Sequence, residues 1–253
     1  MFTSLELEQS NGVAVLTLNN PAKRNAMTPE LTEEFPRAIE TIRNDADVRA
    51  LVVTNRGSVF CAGGDLRGLE AQLDWTPEQN RRYMGHFYRA YLSILNVDVP
   101  VIGALNGHAI GAGLSMALGC DLRFASEGAK LGVTYLTLGL YPGMGTTHLL
   151  RQTVGYARAA DLIFTGRVVT AAEALEMGLV SRVLASDELL DVSLATAREI
   201  AAKPASGMRM AKRALVQEKL TGLEAALDHE ATAQMSSFSS PEMRQAIAEL
   251  KGR

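Results

Sequence analysis

Cysteine is scarce in this chain of 253 residues, which contains only Cys61 and Cys120. Two cysteines cannot form a disulfide framework, and their separation excludes the Cys-x-x-Cys pairs of common structural zinc sites. Glycine interrupts the longer apolar stretches, which excludes a typical membrane-spanning helix. The first residues also lack the basic and then apolar order of a secretory signal, so we expect a cytoplasmic protein.

A surplus of positive charge is also missing. Lysine and arginine total 25 against 28 aspartate and glutamate residues, which gives a net charge of −3. This balance argues against nucleic acid or an anionic membrane as a partner, although a local basic patch could still bind a phosphate-bearing ligand. Hydrophobic residues make up 47% of the chain, which is enough for a large buried core. The length fits one large α/β domain, or one domain with an appendage.

Strand and helix patterns alternate through the first half of the chain. The adjacent residues Asn11 and Gly12 lie between two β-rich runs and predict a hairpin. We predict strands over residues 4–9, 13–19, 50–55, 101–105 and 121–125, and helices over residues 28–43 and 77–96. We expect Pro36 to kink the first of these helices.

The strand pattern ends at about residue 187, and the rest of the chain is helical in character. We predict helices over residues 187–202, 204–218, 221–235 and 241–251. This change divides the chain into an α/β core, residues 1–190, and a C-terminal helical region, residues 191–253.

Two glycine-rich segments, residues 57–66 and 106–115, each follow a predicted strand. Glycine lets the backbone turn sharply and lets a ligand approach main-chain N–H groups. The second segment leads into a short helix, whose first N–H groups are unpaired. Two such turns on neighbouring strands could form an oxyanion hole, although tight turns and close helix packing would also explain the glycines. Neither segment fits the Walker pattern or G-x-G-x-x-G, which argues against a nucleotide fold.

Five motifs in series resemble the enoyl-CoA hydratase/isomerase family, the crotonase superfamily. They are LNNPAKRNAM (18–27), FCAGGDL (60–66), NGHAIGAGLSMALGCDLRFAS (106–126), LGLYPGMGTTHLL (138–150) and FTGRVVTAAEALEMGLVSRV (164–183). The resemblance runs from about residue 3 to residue 250. It implies an α/β fold, a crotonase-like spiral of ββα units, with a C-terminal helical region that builds trimers, often paired into hexamers.

The resemblance also implies a binding site for an acyl-CoA thioester, which would be substrate or ligand rather than a resident cofactor. The N–H groups of Ala62 and Ala112 would hold the thioester oxygen, and CoA would lie along Lys23, Arg24 and Ala26. The other implied substrate contacts are Gly63, Gly64, Asp65, Leu66, Ile110, Gly113 and Tyr135. No group of side chains has metal-ligand spacing, so we expect no metal. The expected partners are acyl-CoA and further copies of the chain.

Three positions at which members of this family carry catalytic acids lack them here. The two glutamates of the hydratases align with Ser115 and Tyr135, and the acid used by some double-bond isomerases aligns with Gly143. A serine hydroxyl and a phenol are poor general bases near neutral pH. We therefore expect an enolate-stabilising protein that is an inefficient hydratase.

Several alternatives stay open at this point. The chain could catalyse isomerisation, decarboxylation or thioester hydrolysis, it could hydrate slowly through a water held by other groups, or it could bind acyl-CoA without turnover. A nucleophilic Ser115 would need a histidine such as His148 or His229. Tyr135 could orient a ligand or form an aromatic wall of the acyl pocket.

The remaining polar candidates carry weaker signals. Aromatic and histidine side chains on the second predicted helix, at His86, Tyr88 and Tyr91, could reach the pocket or pack in the core. Asp65 and Asp121 match family positions that cap or fix turns. His108 matches a variable turn position.

Overall fold

The computed structural model describes residues 2–251, which contain two β-sheets and a set of surrounding helices. The larger sheet has six strands in the order β1-β2-β3-β5-β7-β10. These strands are β1 (Leu5–Ser10), β2 (Val13–Leu18), β3 (Ala50–Asn55), β5 (Val101–Leu105), β7 (Leu122–Ser126) and β10 (Arg182–Leu184). The predicted strands are confirmed to within about a residue at each end.

In the larger sheet, the two strands joined by a short turn are antiparallel, and the strands joined by longer connections are parallel. β1 and β2 pair in antiparallel fashion through the turn at Asn11 and Gly12, whose φ angles are +52° and +77°. β2, β3, β5, β7 and β10 pair in parallel, with longer connections between them. All residues of β3 and β5 are buried, as expected for parallel strands that are covered on both faces.

The smaller sheet has four strands of three residues each, in the order β4-β6-β8-β9. They are β4 (Val59–Cys61), β6 (His108–Ile110), β8 (Lys130–Gly132) and β9 (Val168–Thr170). None of these strands was predicted from the sequence, because three residues are too few to show a period of two. β4 and β6 lie within the two glycine-rich segments and pair in parallel, which brings those segments together.

The first two long helices each begin with a threonine cap. Helix α1 (Pro29–Asn44) starts after Thr28, whose hydroxyl accepts a hydrogen bond from the Leu31 N–H at 3.3 Å. The helix continues through Pro36 to its end. Helix α3 (Pro77–Leu92) follows the short helix α2 (Leu66–Gln72) and is succeeded by a 3-10 turn, Ser93–Asn96.

The middle of the chain adds four further helices. They are α4 (Ala112–Leu118), α5 (Thr146–Val154), α6 (Tyr156–Thr165) and α7 (Ala171–Glu176). Of these, only α4 was predicted, and it begins close to the expected position.

Four helices complete the described chain, as predicted. They are α8 (Leu189–Ala201), α9 (Ala205–Leu220), α10 (Leu223–Phe238) and α11 (Pro241–Lys251). Leu189 and Ala197 of α8 pack with Val52, Ile102 and Phe124 on one face of the larger sheet. The division at residues 190 and 191 stays a prediction.

The apolar side chains of the last two helices are mostly covered by the chain itself. Leu223, Leu227 and Ile247 are buried in the main core, and Leu250 is exposed. These residues therefore do not require a partner chain, and the expectation of a trimer or hexamer rests on the family resemblance. No helix within residues 2–251 is long and apolar enough to cross a membrane.

Candidate active site

The two glycine-rich segments meet at one end of the smaller sheet. Gly63 has φ of +90°, and a Cβ placed there would lie 2.8 Å from the Ile110 carbonyl oxygen and 3.2 Å from the Ala112 nitrogen. A Cβ on Gly113 would lie 2.2 Å from the Cys61 carbonyl oxygen. These two positions are glycine because the turns lie in direct backbone contact.

The Ala112 amide is open to a ligand because of its place at the start of a helix. Ala112 is the first residue of α4, so its N–H group has no carbonyl partner within that helix. The preceding Gly111 has φ of +55°, and its own N–H donates to the Gly132 carbonyl at 2.8 Å. The partial positive charge of the helix N-terminus favours an anionic oxygen at this amide.

The Ala62 amide, in contrast, is already used, which corrects the expectation that it holds the thioester oxygen. Its N–H donates to the Arg24 carbonyl oxygen at 3.1 Å. The next amide, at Gly63, lies near the Cys61 sulfur and opposes the burial that raises the pKa of that thiol. The N–H of Gly64, an exposed residue, has no hydrogen-bond partner among the described residues. The open amide of the first turn therefore belongs to Gly64.

A pocket of about 770 Å³, including its open mouth, lies beside these two amides. Apolar side chains form most of its wall: Met27, Leu69, Tyr83, Met84, Phe87, Leu138, Leu140 and Met144. Ala62, Gly63, Gly64, Asp65, Ala112 and Tyr135 also line it. The size and the apolar wall suit the acyl part of a small-molecule ligand.

The other predicted contacts lie outside the pocket wall. Lys23 and Arg24 are exposed, on the segment that leads to Met27 in the wall. Ala26 is buried, directly before Met27. Leu66, Ile110 and Gly113 support the turns and do not line the pocket.

Three hydroxyl groups form a buried cluster at the pocket wall, which Tyr135 lines. Ser115 Oγ lies 2.8 Å from Tyr135 Oη and 2.5 Å from Thr146 Oγ1. Both Thr146 and Tyr135 also reach the Gly143 carbonyl oxygen, at 2.5 and 3.3 Å. Burial raises the pKa of Tyr135 well above its usual value, so this phenol stays protonated. Thr146 was not predicted from the sequence, although it lies within a family motif.

The histidines of the chain lie away from Ser115. His148 Nε2 is 2.9 Å from the Lys219 carbonyl oxygen, and the His229 ring contacts the Tyr141 ring edge-on. His86 is exposed beside Glu33, and His108 Nδ1 accepts the Lys130 N–H. Since these are the four histidines of the sequence, none of them is placed to activate the serine.

Glu230, on α10, is a buried carboxylate that was not predicted from the sequence. It accepts hydrogen bonds from the N–H groups of Gly145 and Thr147 at 2.6 and 3.0 Å, and from the Thr147 hydroxyl at 2.6 Å. Burial raises its pKa to about 7, although these hydrogen bonds oppose the shift. Glu230 fixes the loop that carries Gly143 and does not line the pocket.

The two aspartates hold turns, as the resemblance implies. Asp65 Oδ2 accepts the Gly68 N–H at 3.1 Å and caps α2. Asp121 accepts the Val101 N–H at 2.8 Å and pairs with Lys212. Asp65 is the only carboxylate among the described residues of the pocket wall.

The aromatic candidates on α3 have different surroundings. Tyr91 lies in the core, where it contacts Phe35 and Phe87 and lies 3.1 Å from the Thr32 hydroxyl. Tyr88 lines the pocket, and its hydroxyl has no hydrogen-bond partner among the described residues.

The described part of the chain contains no cluster of side chains suited to bind a metal ion. No group of three or more histidine, cysteine, aspartate or glutamate side chains lies together there. The expectation that the protein needs no metal stays a prediction.

Comparison with known proteins agrees with this fold and identifies the family. A sequence model of the family "Enoyl-CoA hydratase/isomerase" matches residues 8–252. The chain is 34% identical to a 2,3-dehydroadipyl-CoA hydratase of Escherichia coli, over 90% of this chain and 88% of that protein. It is 32% identical to a short-chain-enoyl-CoA hydratase of Clostridium acetobutylicum, over 95% and 92%.

A solved structure gives the same result for the fold. The crystal structure of an enoyl-CoA hydratase/isomerase from Pseudoalteromonas atlantica superposes with a TM-score of 0.89 at 31% identity, covering 99% of this chain and 97% of that one. The family match, the relatives and the shared fold extend over nearly the whole sequence. The chain therefore belongs to the enoyl-CoA hydratase/isomerase family, the crotonase superfamily.

Proposed function

We propose that the chain binds an acyl-CoA thioester and stabilises the enolate form of its acyl group, and that it hydrates enoyl-CoA poorly. The observation that carries this proposal is the pairing of two open amides, at Gly64 and Ala112, beside a mostly apolar pocket. Negative charge moves onto the thioester oxygen as an enolate forms, and fixed N–H donors lower the barrier.

The hydroxyl cluster supports the second half of the proposal. Addition of water to a double bond needs one group that takes a proton and one that gives a proton. Ser115 and Tyr135 are both neutral hydroxyls, and the Asp65 carboxylate caps a helix. Tyr135 can donate one hydrogen bond toward a ligand or to its neighbours, but it cannot serve as a base near neutral pH.

Among enolate reactions, decarboxylation of an α-carboxyacyl-CoA fits this site best as a second candidate. Cleavage of the bond between the α carbon and the carboxylate releases CO₂, and its electron pair passes into the thioester to form the enolate. A proton from solvent or from Tyr135 then reaches the α carbon. This route needs no protein base, which agrees with a pocket wall whose one carboxylate among the described residues, Asp65, caps α2.

Thioester hydrolysis is the less favoured alternative. A nucleophilic serine requires a neighbouring base, and none of the four histidines lies beside Ser115. Binding of acyl-CoA without turnover stays open, and so does assembly as a trimer or hexamer. Light scattering at micromolar concentration tests the assembly, since a monomer mass would contradict it.

One set of measurements tests the proposed function. Calorimetry with butyryl-CoA should show binding, and the loss of enoyl-thioester absorbance should show slow hydration of crotonyl-CoA. The expected rate is about 10²-fold or more below that of a hydratase with both glutamates, assayed in parallel. Malonyl-CoA, followed by release of CO₂, tests decarboxylation. Absence of acyl-CoA binding, or hydration near the diffusional limit, would overturn the proposal.

A further inference from the structure

Three buried polar atoms of residues in the pocket wall have no hydrogen-bond partner among the described residues. They are the hydroxyl of Tyr88 and the side-chain oxygens of Gln72 and Gln234. Tyr88 and Gln234, which lie together, are 1% and 2% exposed, so bulk water does not surround their polar atoms. Buried polar groups in native proteins are nearly always paired, and an unpaired one on a pocket wall indicates a partner supplied by a ligand.

The two side chains meet at Gly143, in space that a side chain at that position would need. A Cβ at Gly143 would lie 2.5 Å from Tyr88 Oη and 2.7 Å from Gln234 Nε2. The space that an acidic side chain at this position would fill is therefore taken by the tyrosine hydroxyl and the glutamine amide.

Hydrogen bonding assigns each atom its role. Gln234 Nε2 donates to the Tyr141 carbonyl oxygen at 2.7 Å, and the other amide atom, Oε1, is therefore the acceptor that has no partner. Burial and the nearby Glu230 and Tyr135 raise the pKa of Tyr88, so its hydroxyl keeps its proton and is a free donor. A donor and an acceptor on neighbouring side chains complement a hydroxyl group, which both accepts and donates.

The position of the pair follows from a chain of contacts. Ala112 and Ser115 lie one turn apart on α4, Ser115 contacts Tyr135, and Tyr135 reaches the Gly143 carbonyl. Tyr88 and Gln234 lie beside Gly143, at the end of this series. Because Ser115 and Tyr135 come between the pair and the Ala112 amide in the series, we expect the pair to face a part of the ligand beyond the thioester.

We propose that Tyr88 and Gln234 select an acyl-CoA whose acyl chain carries a hydroxyl group beyond the carbons that react. The Tyr88 hydroxyl would donate to the ligand oxygen, and Gln234 Oε1 would accept the ligand proton. An unsubstituted acyl chain would instead leave both protein atoms unpaired, which lowers its affinity. This inference rests on the proposed binding of acyl-CoA.

Calorimetry with matched pairs of esters tests the inference. The probes are 4-hydroxybutyryl-, 5-hydroxypentanoyl- and 6-hydroxyhexanoyl-CoA, each against the ester that lacks the hydroxyl. At least one hydroxylated ester should bind about tenfold tighter than its partner. Tyr88→Phe should remove this preference. Tyr91→Phe, on the same helix but hydrogen-bonded in the core, should keep it.

The outcomes separate this inference from the function on which it rests. Equal affinities within every pair, in the unaltered protein, would overturn the selection of a hydroxyl while leaving acyl-CoA binding intact. An unchanged preference in folded Tyr88→Phe would also overturn it. If no ester binds more tightly than free CoA, the proposed function fails as well. Gln234→Met provides a second variant if Tyr88→Phe does not fold, and it should likewise lose the preference.

Discussion

Tyr135 Oη lies 2.8 Å from Ser115 Oγ, so the two positions that align with catalytic glutamates of the family hold hydroxyls that bond to each other. The same cluster includes Thr146 and the Gly143 carbonyl oxygen. Its hydrogen bonds are thus largely satisfied within the protein. The site can polarise a thioester through backbone amides, but it has no side chain that readily activates water.

Restoring both carboxylates should increase hydration. We expect Ser115→Glu combined with Tyr135→Glu to raise the rate of crotonyl-CoA hydration by about 10²-fold, because a positioned acid or base contributes roughly 10²–10⁴-fold. Removing the tyrosine ring makes room for the larger side chain at position 115, which is fully buried. The assay is the loss of enoyl-thioester absorbance.

The control for this experiment removes the hydroxyls without adding charge. Ser115→Ala with Tyr135→Phe should leave hydration as slow as in the parent. If the folded glutamate variant binds butyryl-CoA and still fails to hydrate faster than this control, the two positions are not the missing acid–base sites.

Lys23 and Arg24 should contribute to CoA binding through charge. Replacing both with alanine should weaken butyryl-CoA binding about tenfold, the effect of one or a few charge-assisted hydrogen bonds. The affinity of the parent should also fall with added salt, since exposed charges are screened. Calorimetry measures both effects. Arg82→Ala with Lys203→Ala, at exposed positions that do not line the pocket, is the matched control and should bind as the parent does.

Because the two glycine-rich turns are in contact, adding a methyl group at Gly113 should change stability differently from adding one at the exposed Gly207. Gly113→Ala should lower the free energy of unfolding by about 3 kcal/mol, because its Cβ would lie 2.2 Å from the Cys61 carbonyl oxygen. Gly207→Ala, exposed on α9 with nothing within 4 Å of the new Cβ, should raise it by about 0.5–1 kcal/mol. Urea denaturation measures both, and equal effects would contradict the described contact.

Glu230 should make stability depend on pH. Its pKa is about 7 in the folded chain against an ordinary 4.5, so between these values the folded protein keeps a proton that the unfolded chain has lost. Its contribution to the free energy of unfolding should therefore fall as pH rises through this window, by up to about 3 kcal/mol.

Comparison with Glu230→Gln isolates this contribution from other titrating groups. The variant should lose less stability than the parent between pH 5 and pH 8, because glutamine does not ionise. Urea unfolding at several pH values gives both curves. Parallel curves for the two proteins would show that Glu230 titrates outside this window.

Local patterns were sufficient to predict the main architecture. The buried runs of β3 and β5 and the capped starts of α1 and α3 carry their signals within a few adjacent residues. The three-residue strands of the smaller sheet lack such a signal, since their pairing depends on segments far apart in the chain.

The site could be predicted only in part. The two turns and the Ala112 amide followed from the motifs, but which amide of the first turn is open depends on a hydrogen bond between Ala62 and Arg24. Glu230 and Gln234 reach the site from α10, about 90 residues after the loop that they contact. No local pattern marks such residues, because their role arises from packing.

The role of the Ala112 amide has a direct test, since proline lacks an N–H and is tolerated at the first position of a helix. Ala112→Pro removes this donor, while Ala112→Gly keeps it. The measurement is the infrared stretching frequency of crotonyl-CoA labelled with ¹³C at the thioester carbonyl and bound to each protein. If the Ala112 amide polarises the thioester carbonyl, the frequency should shift lower on binding to the parent and to Ala112→Gly. The shift should be much smaller with folded Ala112→Pro. Equal shifts in all three proteins, or none in the parent, would contradict the claim that these amides polarise the thioester.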